Sequence, residues 1–545
     1  MLTPRTLDIM AAYSIDEQRH LYHKTKLLKQ AYEKNNSQTL DLFKIPNKQT
    51  GIYEVFLEDS TRTKESFRNA IEFHGVEGKI FDTSSSSFNK HESYADTFNM
   101  LTGYDNQIFV VRSKLEGVCT WLDRNAKAYA TRHGLPYTPL FINAGDGKHE
   151  HPTQEFLDQF SFLEQNNWDT SSIHIALIGD LLYGRTIHSK VEWLRIYNHV
   201  RVDLIAPEML TLPASYLEQM KAYGYDVRIF SGIDEYLTQS SLAPIWYFTR
   251  VQIERMGDDV LKYETSLRQA ITRRADHMDK IDQDKVRFYH PLPRHKVTPE
   301  LPTWVDDTPL NARERQSRNG MFVRIVLLAA TAWVPFVCDD FTPSSCPPWE
   351  GTSVPLDGRG TRRVVGFEKG GWWIDEDRIQ DIQPNHTKPK HYSEWVHPIT
   401  DGFVIDHIGR GWSIQQIKEH MTKIVSILWL YTPWGEWIST SSDGNYKWLI
   451  FRPNTDITDK QIRKLAALAP WCTVNRIANQ HISQKLRLSM PPKLYNLNWL
   501  SCQNHNCISH HSHHENIIAE FVRKWDDQFE CIYCGQHHHY RDVRL

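Results

Sequence analysis

The 545-residue chain has little cysteine, no surplus of charge of either sign and no long apolar run. Eight cysteines at this length do not make a disulfide scaffold, and four of them, Cys119, Cys338, Cys346 and Cys472, are scattered, so they read as reduced thiols. A formal net charge of −3 excludes the basic surplus of a general nucleic-acid binder. No nucleic-acid partner is expected, and positive potential should be local. The most apolar stretch, residues 321–337, is short for a membrane span and carries Arg324, which predicts a buried helix and no membrane partner. The first 36 residues are charged and lack the apolar core of a secretory leader, so a cytoplasmic location is expected.

The chain is too long for a single core, and its patterning divides it. From about residue 50 to 334, apolar β-branched runs alternate with longer amphipathic stretches: "QIFVVR" (107–112), "TPLFINAG" (138–145), "IHIALIGD" (173–180), "VRVDLIAP" (200–207), "PIWYFTR" (244–250) and "VRFYHPLP" (286–293). Such runs read as parallel strands covered on both faces. The expected fold class is therefore α/β, with two parallel-sheet domains over residues 1–148 and 149–334. A Pro-, Ser- and Gly-rich stretch then predicts a linker over residues 335–395, within which "GGWWIDEDRI" (370–379) reads as ordered linker or small insertion. An α+β module is expected over residues 396–498. Its strands are "GFVIDHI", "YKWLIFRP" and "CTVNRIAN", and its helix "TDKQIRKLAALAP" follows a Thr458/Gln461 capping box.

The last segment, residues 499–545, holds Cys502, Cys507, Cys531 and Cys534 in the spacing C-x4-C-x23-C-x2-C. Four thiolates complete a tetrahedron with no open position, which predicts one structural Zn2+ per chain; no organic cofactor is expected. The histidine-rich pieces beside it, "SHHSHHE" and "QHHHY", are expected to be solvated.

Polar groups suited to anions recur at the ends of the predicted strands. They are Ser60 to Thr63 in "FLEDSTRTKESF", Arg112, His151 and Gln154 in "HEHPTQ", Arg185 in "GDLLYGRT", Arg250 and Gln252 in "TRVQ", and "HPLPR" at 290–294. Ligands of open α/β sheets bind at the carboxyl ends of strands, so these groups are positioned to converge. One hydroxyl would suffice to cap a helix. Three hydroxyls and a guanidinium suit a dianion.

The ordered motifs "STRT", "SSSSFNKHES", "NAGDGKHEHPTQ", "GDLLYGRT", "TRVQIER" and "FYHPLPR" resemble the aspartate carbamoyltransferase catalytic chain over roughly residues 45–335. "VIDHI", "APWCTVNRI" and the cysteine pairs resemble the regulatory chain of that enzyme. The chain is thus similar to a fused catalytic and regulatory aspartate carbamoyltransferase. The resemblance implies that carbamoyl phosphate and L-aspartate give N-carbamoyl-L-aspartate and phosphate, with residues 1–148 as the carbamoyl phosphate domain and 149–334 as the aspartate domain. Ser60, Thr61, Arg62 and Thr63 would hold the phosphate. Thr63, Arg112 and His151 would donate to the carbamoyl oxygen, and Gln154 with the carbonyls of Pro291 and Leu292 would orient the carbamoyl amino group. Lys90, Arg185, Arg250 and Gln252 would grip aspartate.

By the same resemblance Ser86 and Lys90 reach into a neighbouring subunit's site and touch carbamoyl phosphate, which implies a homotrimer with shared active sites, single or paired into a hexamer. Glu58 and the pair Glu254 and Arg255 match positions that link the two catalytic domains on closure. Asp406, His407, Asn475, Ile477 and Lys485 match effector-contacting positions, but Phe451 stands where the family has a lysine and Gln480 where it has an aromatic. Losing a cation opposite a triphosphate leaves both a nucleotide effector and a purely architectural module open. Ornithine carbamoyltransferase shares the phosphate cradle, but its cationic substrate does not suit Arg250 and Gln252. A non-catalytic scaffold is the reading from another class, and the filled site positions argue against it.

Overall fold

The computed structural model describes residues 1–48, 50–82, 92–252, 263–341, 374–376, 399–409, 412–428, 435–440, 446–524 and 527–543. They form two compact units, Met1–Pro347 with Asn506–Ile508, and Pro348–His505 with Ser509–Leu545.

The first unit holds two parallel sheets. One has the order β2-β1-β3-β4, from Gly51–Phe56 (β1), Gly78–Ile80 (β2), Asn106–Ser113 (β3) and Leu140–Asp146 (β4). The other has the order β7-β6-β5-β8-β9, from Ser172–Ile178 (β5), His199–Ile205 (β6), Asp226–Phe230 (β7), Ile245–Phe248 (β8) and Arg287–Tyr289 (β9). The central strands β3 and β8 are buried almost throughout, as helices on both faces require. Helix Pro152–Gln165 leads from the first sheet to the second, and helix Arg313–Thr331 returns to pack on it and on helix Thr61–His74. That returning helix is the buried helix predicted from residues 321–337, and Arg324 within it is 3% exposed.

Two strands of this unit escape the sequence pattern. Strand β2 has only three residues with none buried, and edge strand β7 buries only Phe230, so neither shows an apolar run.

The second unit begins with an antiparallel sheet of order β10-β15-β14-β11-β13-β12. Its strands are Ile374–Glu376 (β10), Gly402–Ile408 (β11), Gly435–Thr440 (β12), Tyr446–Pro453 (β13), Thr473–Ala478 (β14) and His481–Leu488 (β15). The piece at 370–379 thus contributes an edge strand. Phe403, Ile405, Trp448, Ile450, Val474 and Leu486 are buried, while Val404, Asp406, Phe451, Asn475 and Lys485 remain half-buried, the alternation of a sheet covered on one face. Thr458 and Gln461 form the predicted capping box at helix Asp459–Leu468. Asn479 and Gln480, with φ of +51° and +65°, make the two-residue turn between β14 and β15, where positive φ at both positions favours type I′. A smaller antiparallel sheet of Lys493–Leu494 (β16), Phe521–Arg523 (β17), Gln528–Cys531 (β18) and His537–His539 (β19) carries the cysteine pairs.

Candidate functional site

Strand β1 ends at Phe56 and helix Thr61–His74 starts five residues later, so the first-turn amides of the helix open at the carboxyl edge of the sheet. Ser60 is the N-cap residue with an extended backbone, yet its side chain makes no capping hydrogen bond. Thr61 and Arg62 are exposed, and Thr63 is buried. The hydroxyl cluster is therefore not consumed in capping, and it adjoins the positive end of a 14-residue helix.

Around Gly145, after the middle of β4, the cationic groups come together. A Cβ at Gly145 would lie 2.5 Å from Arg112 Nη1 and 3.4 Å from Arg185 Nη2, so only a glycine lets both guanidinium groups approach this backbone, whose φ is +115°. Arg112 donates to the Ala144 carbonyl at 2.9 Å and pairs with Glu58 at 2.8 Å. Arg185 donates to the Gly147 carbonyl at 2.6 Å from the first turn of its helix. His151 sits at the N-cap of helix Pro152–Gln165, with Nε2 3.4 Å from Thr63 Oγ1 and Nδ1 3.5 Å from Thr153 Oγ1. Burial, then the charges of Arg185, Arg112 and Arg324, push the His151 pKa well below the usual imidazole value. It is a neutral imidazole at physiological pH, suited to hydrogen bonding rather than to carrying charge.

The remaining groups follow β4, β8 and β9. Gln154 donates to Asp158 at 2.8 Å. Pro291 and Leu292 follow β9, Leu292 adopts φ +58°, and its amide donates to His290 Nδ1 at 2.8 Å. Arg250 is half-buried just after β8. The Gln252 amide N–H donates to Asp180 Oδ2 at 3.0 Å and its side chain to the Tyr183 carbonyl at 3.0 Å, which ties it to the loop carrying Arg185. The structure thus brings together Thr63, Arg112, His151 and Arg185, and sets Gln252 against the Arg185 loop. Glu58 pairs here with Arg112 inside the first domain. Ser86, Lys90, Glu254 and Arg255 lie outside the described residues.

Two contributors were not singled out as site residues from sequence. Asp180 anchors the loop through the amides of Tyr183 and Gln252. Arg324 donates to Ser66 Oγ at 2.9 Å and Thr153 Oγ1 at 3.3 Å, and burial lowers its pKa to about 9. A charge inside an otherwise apolar helix was its one visible signal.

Cys502, Cys507, Cys531 and Cys534 are all buried, with Sγ atoms within 4.8 Å of one another. Cys502 and Cys534 are 3.7 Å apart, close to the edge of about 3.8 Å that a tetrahedron with Zn–S bonds near 2.3 Å has. This is a metal site by donor set and spacing. The flanking histidines are not all solvated: His510 and His538 are buried, and His538 Nε2 lies 3.3 Å from Cys502 Sγ. A hydrogen bond to a thiolate explains why that histidine leaves water.

The effector-type positions share the half-covered face of the larger sheet. Cross-strand register runs Gly435, Phe451, Val404, Asn475, Lys485 from β12 to β15, and Ile477 pairs one step away with Ile482. Asp406 lies 3.2 Å from His407 and 3.5 Å from Lys447. The Phe451 ring lies over Gly435, where a Cβ would come within 1.6 Å of it.

The aspartate/ornithine carbamoyltransferase carbamoyl-P binding domain matches residues 5–164, and the allosteric and metal-binding domains of the aspartate carbamoyltransferase regulatory chain match residues 394–489 and 492–544. Protein PyrBI of Treponema denticola is 48% identical over 99% of this chain and 98% of its own length, and protein PyrBI of Thermotoga maritima is 45% identical over the same shares. Aspartate transcarbamoylase of Trypanosoma cruzi, solved in complex with N-(phosphonacetyl)-L-aspartic acid, superposes with a TM-score of 0.51 at 29% identity, covering 60% of this chain and 96% of that one. Full-length relatives at nearly half identity, with three matching domains in the same order, place the chain in the PyrBI family, in which the catalytic and regulatory chains of aspartate carbamoyltransferase form one polypeptide.

Proposed function

We propose that the crevice at the ends of β1, β3, β4 and β8 transfers the carbamoyl group of carbamoyl phosphate to the amine of L-aspartate, giving N-carbamoyl-L-aspartate and phosphate. The observation that carries this reading is the meeting of Arg112 and Arg185 around Gly145, with neutral His151 against Thr63, beside a helix N-terminus whose cap hydroxyl makes no capping bond. Ser60, Thr61, Arg62 and Thr63 bind the phosphate. Thr63, Arg112 and His151 donate to the carbonyl oxygen as it gains charge, the kind of stabilisation that usually contributes most. The aspartate amine attacks the carbamoyl carbon, the bond to the phosphate oxygen breaks, and the departing phosphate accepts the amine proton.

Arg185, Arg250 and Gln252 receive the aspartate carboxylates, since a planar guanidinium pairs with a carboxylate through two hydrogen bonds. A neighbouring subunit supplies Ser86 and Lys90, which makes the working unit a homotrimer, single or paired into a hexamer. Cys502, Cys507, Cys531 and Cys534 hold Zn2+, which leaves no position open for substrate and serves structure. No organic cofactor enters the reaction. Asp406, His407, Asn475, Ile477 and Lys485 form the face on which a nucleotide effector would lie, with its phosphate affinity reduced by Phe451.

The test is a carbamoyltransferase assay with L-aspartate and L-ornithine on the full chain and on Arg250→Ala. Aspartate-dependent product that the variant loses, with ornithine inert, is the expected result. A folded, oligomeric protein that carbamoylates neither amine would overturn the reading.

A further inference from the structure

Helix Pro152–Gln165 presents Asp158 one turn after Gln154, and its carboxylate is completely buried. Asp158 Oδ1 accepts from Gln154 Nε2 at 2.8 Å and from Gln316 Nε2 at 2.6 Å. Asp158 Oδ2 accepts from Lys190 Nζ at 2.7 Å and from the Tyr247 hydroxyl at 2.6 Å. Gln316 in turn accepts the backbone N–H of His290 at 3.0 Å through its Oε1. Four donors on one buried carboxylate satisfy it, and Lys190 is shared with buried Glu155, which lies 2.8 Å from its Nζ.

We infer that Asp158 is a positioning residue that sets the selectivity of the site for the amino group of carbamoyl phosphate. The inference rests on the carbamoyl-transfer reading above and adds to it. A carboxylate cannot donate, so an amide facing it must turn its NH2 inward and its oxygen outward. Gln154 therefore offers an acceptor at its free end. Through Gln316, the same carboxylate pins the His290 amide, which is the base of the turn that carries the Pro291 and Leu292 carbonyls. Both sets of acceptors for the carbamoyl NH2 thus hang from one group. Acetyl phosphate, with CH3 in place of NH2, would leave them unpaired, and sites built to bond an N–H reject such analogues by on the order of 10⁴-fold.

In Asp158→Asn the new amide can donate to Gln154 Oε1, so Gln154 is free to flip and present NH2 to the substrate's NH2. The experiment measures kcat/KM for carbamoyl phosphate and for acetyl phosphate with L-aspartate, on wild type, Asp158→Asn and Gln316→Met, with melting temperature and oligomeric state checked in parallel. The ratio of the two kcat/KM values should fall by at least about tenfold in Asp158→Asn, mainly through loss of carbamoyl transfer, and by less in Gln316→Met, which cuts only the strut to His290. Equal loss of both activities in a folded Asp158→Asn protein would make Asp158 merely structural and overturn the inference. Should Asp158→Asn fail to fold, an unchanged ratio in Gln316→Met overturns it and a reduced ratio supports it. Wild-type protein that does not carbamoylate aspartate at all would instead remove the reading beneath it.

Discussion

The crevice of the first unit and the half-covered sheet face of the second both carry positions that match anion-binding residues, yet they are built differently. In the crevice, polar groups are fixed by other buried groups: Arg112 by the Ala144 carbonyl and Glu58, Arg185 by the Gly147 carbonyl, Gln154 by Asp158. On the sheet face, Asp406, His407 and Lys447 lie in a partly exposed cluster and an aromatic ring covers Gly435. Preorganised donors spend no free energy on reorganising as charge develops, whereas exposed pairs contribute little and are screened by salt. The difference predicts a chain whose catalysis is robust and whose nucleotide response is weak.

The largest effect expected belongs to neither surface but to the four-cysteine metal site. Structural zinc in small domains contributes on the order of 10 kcal/mol of folding free energy, so stripping it from the four cysteines should abolish the melting transition of the metal module. Calorimetry with zinc quantification should show one ion per chain released while the first unit keeps its own transition. An unchanged melt after metal loss would show that the sheet of β16 to β19 holds without the ion. Next in size, Arg112→Ala should lower kcat by about 100- to 1000-fold. A drop below tenfold would mean that the donors around Gly145 do not face developing charge, and the contrast between the two surfaces would collapse.

Much of this was legible beforehand for physical reasons. Strands such as β3, β5 and β8 are buried on both faces, so their sequences are unbroken apolar runs, while β2 and β7 are exposed edges and carry no such mark. The candidate site positions were readable as motifs because they lie in short polar stretches after strands. Asp158, Lys190, Tyr247 and Gln316 were not, since they are spread over 158 positions and only folding brings them together. Arg324 was visible as an anomaly, but its partners Ser66 and Thr153 lie on two other helices. The solvated reading of the histidines failed at His538 because a donor to a buried sulfur looks, in sequence, like its exposed neighbours.

The crevice unit also stores a pH dependence. Burial lowers the pKa of His74 to about 4 and that of His290 to about 3, and lowers His151 in the same direction. In the unfolded chain these groups take up protons below about pH 6.5, and in the folded chain they do not. Their contribution is complete above that pH and is lost as pH falls from about 6.5 toward 4, at up to about 1.4 kcal/mol per pH unit for each. His74 donates through Nε2 to the Ile325 carbonyl and touches no substrate group, so His74→Gln isolates one proton of this effect. Denaturant unfolding at pH 6.5, 5.5 and 4.5 should show a shallower acid slope in the variant. Equal slopes would mean that His74 takes up its proton in the folded state.

The smallest expected effect is the one that addresses the sheet face directly. Phe451 is flanked across the strands by Val404 and Gly435, with Asn475 and Lys485 two and three strands away in the same row. In Phe451→Lys, a cation would enter that row, and a single charge-assisted contact to phosphate at a partly exposed position is worth about 1 to 2 kcal/mol. Calorimetric titration with ATP, CTP and UTP at low salt should therefore show about a tenfold gain in affinity over wild type, and the gain should shrink as salt is raised. The variant should not change carbamoyl transfer without nucleotide, because the crevice is assembled entirely from residues of the first unit. Wild type binding nucleotide as tightly as Phe451→Lys would mean that Lys447 and Lys485 already suffice for the phosphates, and that the aromatic ring replaced a cation without cost to recognition.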